Sequence, residues 1–422
     1  MSQSVARSRP LQTILRGFMM LSVSWGVGCV PEQAMEVPRE ISMGPISDHL
    51  DLLAREPMVV EHPDGTIFVT GYGAGRPILY RSQDGGTTWD LVDVGTEEDG
   101  AIGNSDADLA ITPDGSVHLV TMDFDRETYE GRGIAVGTLR GQGQDWSWTT
   151  LSRDRFDDRP WIESTPDGVL HVIWNDGAGV SYATSSDSGR TWQERPRIHP
   201  KGGSSHLAVG PAGELAVRIT PGSASGHQMD EDTDLIAVSL DGGSSWQLEA
   251  PPGSREWTFP INDAEGVPRW VEPVAWDAAG SLYSLWSEGP TLRLVHSTDH
   301  GDTWSTVQIA TDQDVMYFPY LVGNEAAEMA ATWYSGRGAG LEAHVAHITI
   351  DPSTGDLAGT SALSFTVESF AQGADGETTR DTAGEYIPVV FRRDGGLAAV
   401  STIQNPVDDR WGFRWHPIHL SW

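Results

Sequence analysis

Seven stretches of the chain alternate apolar and polar positions on either side of a tight turn. They read VVEHPDGTIFVTGY (59–72), LAITPDGSVHLVTM (109–122), IESTPDGVLHVIWN (162–175), LAVGPAGELAVRIT (207–220), VAWDAAGSLYSLWS (274–287), LVGNEAAEMAATWY (321–334) and VVFRRDGGLAAVST (389–402). Period-two alternation predicts half-buried strands, and Asp-Gly, Pro-Asp-Gly and their variants are hairpin turn chemistry. Each stretch is therefore expected to be strand, turn, strand.

After four of these hairpins a second signal follows. SQDGGTTW (82–89), SSDSGRTW (185–192), SLDGGSSW (239–246) and STDHGDTW (297–304) all read Ser-x-Asp-x-Gly-x-Ser/Thr-Trp. Each lies between a predicted third strand and a fourth. The gap after the second hairpin holds a degenerate version, LRGQGQDWSW (139–148), and the sixth hairpin is followed by TIDPSTGDLAG (349–359). In such a turn the Asp carboxylate can accept turn amides, Gly permits positive φ, hydroxyls tie the ends, and Trp covers the sheet. Asp84, Asp187, Asp241 and Asp299 are thus expected to be structural. The last unit, 386–420, supplies only three strands, so the segment around 37–50 is expected to provide its fourth and close a ring.

Four-stranded units repeated in this way predict an all-β propeller of seven blades, with six as the alternative. Composition agrees: 48 Gly, 25 Pro and 17 Trp suit a turn-rich β fold. The octet resembles the Asp box, or BNR repeat, of the sialidase family and its relatives. That resemblance covers 46–422 and implies the propeller; the fold alone does not fix a function.

Net charge is −33 and Lys201 is the only lysine, which excludes nucleic acid as an expected partner. Arg7, Arg9 and Arg16 precede a short apolar run, GFMMLSVSWGVG (17–28), too short and Gly-rich for a membrane span. The run ends at Cys29, the only cysteine. GVGC resembles a bacterial lipoprotein signal. The expectation is a signal peptide over 1–28, a lipidated Cys29 with a tether over 29–45, and one propeller domain over 46–422. The protein would then be a monomeric envelope lipoprotein, at the outer membrane or cell surface, meeting the membrane only through its lipid. A secreted protein is the alternative.

Loops entering the first strands and loops joining second to third strands should share one face; the octets and Pro-Asp-Gly turns should share the other. The first face collects acidic loops with Arg and aromatics, a mixture that suits carbohydrate. First strands should bring Arg55 or Glu56, Asp106 or Asp108, Asp158 or Arg159, His206, Glu272, Tyr317, and Glu385 or Tyr386 towards the channel. They would either serve a sugar or close the channel through mutual ion pairs. No cofactor is expected. Calcium is the one ion considered, through DEDTD (230–234), but that stretch lacks the Gly and later Glu of an EF-hand loop.

The sialidase resemblance extends to Arg55-Glu56-Pro57, where sialidases carry Arg-Ile-Pro. It implies that Arg55 clamps a substrate carboxylate and that a Tyr–Glu pair supplies the nucleophile, with Tyr386 beside Glu272 or Glu385 as one choice and Tyr317 serving equally. Arg159, Asp106, Asp108, His206, Tyr317 and Glu385 would bind substrate. The chain departs from the family in GYGAGRPILY (71–80), the loop where sialidases place their acid: it holds no carboxylate. The leading expectation is therefore a propeller that recognises carbohydrate at the cell envelope. An exo-sialidase-type hydrolase, a polysaccharide lyase using His206, Tyr317, Tyr386 and Arg159, and a protein-binding scaffold stand as alternatives.

Overall fold

The computed structural model describes residues 38, 40–73, 75–141, 145–220, 234–252, 271–312, 316–336, 342–366, 384–404 and 411–422. The predicted leader, Cys29 and most of the tether lie outside them. The described residues form seven antiparallel sheets; six have four strands in sequence order from the axis outwards, and the seventh adds two short amino-terminal strands outside its three. The innermost strands, Arg55–Glu61, Ala107–Ile111, Asp158–Ser164, Gly203–Val209, Val274–Trp276, Met316–Gly323 and Val389–Phe391, touch in a closed cycle around the axis. This is the seven-bladed propeller read from the repeats.

The ring closes as expected. In the last blade Glu40–Met43 pairs with Trp411–Ser421, Glu40 opposite Ser421 and Met43 opposite Ile418. Ser47–His49 continues along the same strand, His49 opposite Phe413. The fourth strand of that blade therefore comes from the amino-terminal side.

The octets fold as their chemistry dictates. Asp84 Oδ1 accepts the Thr88 N–H at 2.8 Å, its Oδ2 accepts the Thr88 hydroxyl at 2.6 Å, and Ser82 Oγ accepts the Gly86 N–H at 2.8 Å. Asp187, Asp241 and Asp299 make equivalent bonds to Thr191, Ser245 and Thr303. The structure adds what a local reading lacks: each turn also binds the preceding blade. Gly243, at φ 80°, lies so close to Tyr182 of the third blade that a Cβ would sit 2.0 Å from its hydroxyl. Gly86 stands likewise over Trp415 of the seventh blade. The octet Trp follows the same direction, Trp89 meeting Phe413 edge-on at 5.1 Å and Trp246 meeting Tyr182 at 5.7 Å.

Gly243→Ala should therefore cost more than about 1 kcal/mol, through both the φ and the blocked contact. Urea unfolding checks it; an unchanged midpoint would remove the inter-blade role of this glycine.

Candidate functional site

Several inner strands begin with a bulge. Ladder register shifts between Arg55 and Met58, Asp158 and Trp161, Ser204 and His206, and Tyr317 and Tyr320. Glu56, Arg159 and Phe318 sit in these bulges at φ 49–50°, each directly before a proline. A bulge puts two residues opposite one and re-aims their side chains, so simple alternation fails at this point.

The bulges build a charged cluster at the loop-bearing end of the channel. Arg159 Nη2 donates to Glu385 Oε2 at 2.8 Å, and its Nε lies 3.7 Å from Asp158. The Glu385 N–H donates to Glu56 Oε1 at 3.2 Å, and the Glu56 N–H to Thr402 Oγ1 at 3.2 Å. Gly384 makes room for this, since a Cβ there would meet Glu56 Cγ at 2.6 Å. Burial, then the neighbouring Glu385, raises the Glu56 carboxyl above its ordinary range. Burial, then Glu56 and Asp158, holds Asp106 well above its own. Tyr386 is raised by burial, and the carboxylates acting on it are Asp106, Glu385 and Glu56.

Beside this cluster, Arg55 donates to the Tyr72 hydroxyl. Its guanidinium stands 5.4 Å from the Tyr72 ring centre and 5.2 Å from that of Trp411. Arg126, carried by the long hairpin of the second blade, stands over the same Tyr72 ring at 5.5 Å. At the tip of that hairpin Tyr129 is 81% exposed.

Below the charges the channel is closed by rings. Trp161 packs edge-on against Tyr386 at 5.4 Å and lies tilted against His206 at 4.3 Å, and His206 meets Tyr320 at 4.9 Å. Tyr317 is buried against Phe318 and Tyr334. Deeper still, Asp108 accepts the N–H groups of Leu109 at 2.8 Å and Ile162 at 2.9 Å. Burial pushes Asp108 up to about 7; burial, then Asp108, pushes Glu163 up to about 8.

The structure thus gathers Asp106, Arg159, Glu385 and Tyr386, with Arg55 alongside, and separates Asp108 towards the opposite end. Glu272 takes a different place: it shares Arg218 with Asp234 in a buried triad, at 2.6 Å from Arg218 Nη2. Asp234 is the last residue of DEDTD; the other four lie outside the described residues. Among the described residues no three His, Cys, Asp or Glu side chains group to hold a metal ion, and no helix is long and apolar enough to cross a membrane. Tyr72, Arg126, Trp411 and Glu163 were not singled out in the sequence. The signal for Glu163 was available, since it ends an inner strand facing the axis.

No model of a known protein family matches the chain. It is 24% identical over 249 residues to the photosystem II assembly protein Ycf48 of Synechococcus sp. (strain JA-3-3Ab), covering 54% of this chain and 68% of that one. The solved YCF48 from Cyanidioschyzon merolae superposes with a TM-score of 0.50 at 11% identity, over 89% of this chain and 98% of that one. The Hadza microbial sialidase Hz136 gives 0.43 at 14% identity, over 66% and 63%. At 11% identity the likeness to the solved YCF48 is one of fold.

Carboxyls raised on folding take up protons, so Asp108 and Glu163 favour the fold at low pH and lose that effect as pH climbs from about 4 to about 8. The octet carboxylates act oppositely: Asp84, Asp187 and Asp241, lowered to about 2 chiefly by bonds from their own turns, lose their contribution only as pH falls from 3.8 to about 2. Burial holds His118 and His171 down at about 4, which acts the other way as pH climbs to 6.5, so the carboxyls are read by difference. From pH 5 to pH 8 the Tm of the double variant Asp108→Asn, Glu163→Gln should rise relative to that of the parent; a constant difference would refute the assignment.

Proposed function

We propose that this chain is a non-catalytic binding propeller, exported and tethered through Cys29, that holds a protein partner on its loop-bearing face. The observation that carries this reading is that the channel's ionisable groups are engaged with one another. Arg159 is held by Glu385, Glu56 accepts from the Glu385 amide, and Glu272 is held by Arg218. Tyr386 and Tyr317 are buried at 4% and 5% exposure. A glycosidase needs such groups turned towards the sugar.

What the face does offer is an anchor. Arg55 and Arg126 on Tyr72, Trp411 beside them and exposed Tyr129 are the residue types that dominate protein interfaces. On a chain of net charge −33 this sector stands out as a place for a carboxylate-bearing segment. The Synechococcus relative is named an assembly protein, which supports a protein partner. The lone Cys29 after an apolar run supports the tether.

One observation favours a second reading, sialidase-type hydrolysis. Asp106, whose carboxyl burial holds well above its ordinary range, acts on Tyr386 and is acted on by Arg159 and Glu385, and would serve as a displaced acid. Two assays separate the readings. Residues 30–422 incubated with a fluorogenic aryl sialoside should give no turnover above blank; turnover abolished by Arg55→Ala would establish the enzyme. On paired peptide and glycan arrays, binding is expected to peptides and to fall at least about tenfold in Arg126→Ala, Tyr129→Ser. Binding confined to glycans would overturn the protein-partner reading. Cys29→Ser should move the full-length protein from the membrane pellet to the soluble fraction.

A further inference from the structure

The opposite end of the channel has its own cavity. It encloses about 490 Å³ among the turns that end the inner strands, with Pro63, Pro113, Pro166, Pro211, Ile111 and Trp276 in its walls. Its charged lining is acidic: Glu61, Glu163 and Asp277. Glu61 is already bound by Arg392 at 3.0 Å, and Asp277 accepts the Tyr283 hydroxyl at 2.9 Å and the Ala327 N–H at 2.7 Å. Glu163 differs from both. The charge acting on it is another carboxylate, Asp108.

A groove of about 440 Å³ adjoins this cavity, sharing Thr165, Pro166 and Pro211 with it and running between the turns of the third and fourth blades. Leu240, 55% exposed, stands on its far side. Two buried groups in these walls lack hydrogen-bond partners among the described residues: Trp276 Nε1 in the cavity and His171 Nε2 in the groove. The other nitrogen of His171 is taken by the Tyr182 hydroxyl at 2.6 Å. The equivalent residue of the second blade, His118, has both nitrogens satisfied, by Thr112 at 3.1 Å and Thr138 at 3.0 Å. A buried polar group without a partner is costly, and in an open-sided pocket it marks where a ligand's polar atom would sit.

We infer that the turn-bearing face is a second docking site, for a positively charged peptide segment. Its Arg or Lys side chain enters the cavity towards Glu163, and its backbone lies along the groove past Leu240. Cation and carboxylate compensate each other in a setting of low dielectric, and the proline-rich walls supply apolar contact. The inference is independent of the loop-bearing face.

The test uses a random heptapeptide library with Arg fixed at its centre, panned against residues 30–422. Selected peptides are remade with a fluorescein label and with citrulline, of equal shape but uncharged, in place of Arg. By fluorescence anisotropy the Arg peptide should bind at least about tenfold tighter than its citrulline twin, as a charged hydrogen bond requires. Glu163→Gln should erase that difference, and Leu240→Asp should weaken the citrulline peptide as well. Without a ligand Glu163 is pushed up to about 8, so Glu163→Gln replaces a mostly neutral carboxyl by a neutral amide of the same shape, and the variant is expected to fold. A library without binders, equal affinity of the twins, or an unchanged difference in Glu163→Gln overturns the inference. Binding that disappears in Arg126→Ala and survives Glu163→Gln belongs to the other face and overturns it equally.

Discussion

Everything in this ring rests on one contact: a turn of each blade that carries an octet lies against the third strand of the blade before it. A single blade is a small sheet with two open faces and cannot stand alone. The octet ties its own hairpin with an Asp carboxylate, then presents a glycine and a Trp to the neighbour. Where the octet is degenerate, other groups make the same link. In the second blade Trp148 Nε1 donates to Val94 O of the first at 2.7 Å. In the sixth, Gly355 O lies 2.8 Å from His296 Nε2 of the fifth. The contact is kept while its residues change, so the inter-blade distance is the constraint and the octet is one solution to it.

This explains which parts of the molecule could be read from sequence. The octet's internal bonds span four residues, and local chemistry specifies them completely. Blade number and ring closure followed from counting such units. The channel was legible only as a set of pairs, Arg55 or Glu56, Asp158 or Arg159, because a bulge before each proline breaks the period of two and brings both members inwards. The partnerships within the channel join residues such as Arg159 and Glu385, 226 positions apart. Nothing local announces them. Glu272 shows the consequence: it lies two residues before the inner strand Val274–Trp276, and its engagement by Arg218 depends on a second-strand residue of another blade.

The two ends of the axis are chemically unlike. At one end arginines and aromatic rings gather above carboxylates whose charges are balanced or suppressed. At the other, Glu163 lines a proline-walled space, and the charge acting on it is a second carboxyl, Asp108. The aromatic rings between, Trp161, His206, Tyr320 and Tyr386, separate these environments, so the propeller is a body with two independent poles rather than a tube.

The clasp that closes the ring has a mechanical consequence. Among the described residues Glu40–Met43 is the first strand, and it is held by four residue pairs. Tension drawn through the chain from that side meets the bond from Ser361 Oγ to Pro38 O, at 2.8 Å, and then the clasp. The element that completes the circle is therefore also the one that bears the load, and releasing it would unlatch the seventh blade from its edge while the other six keep their own fourth strands.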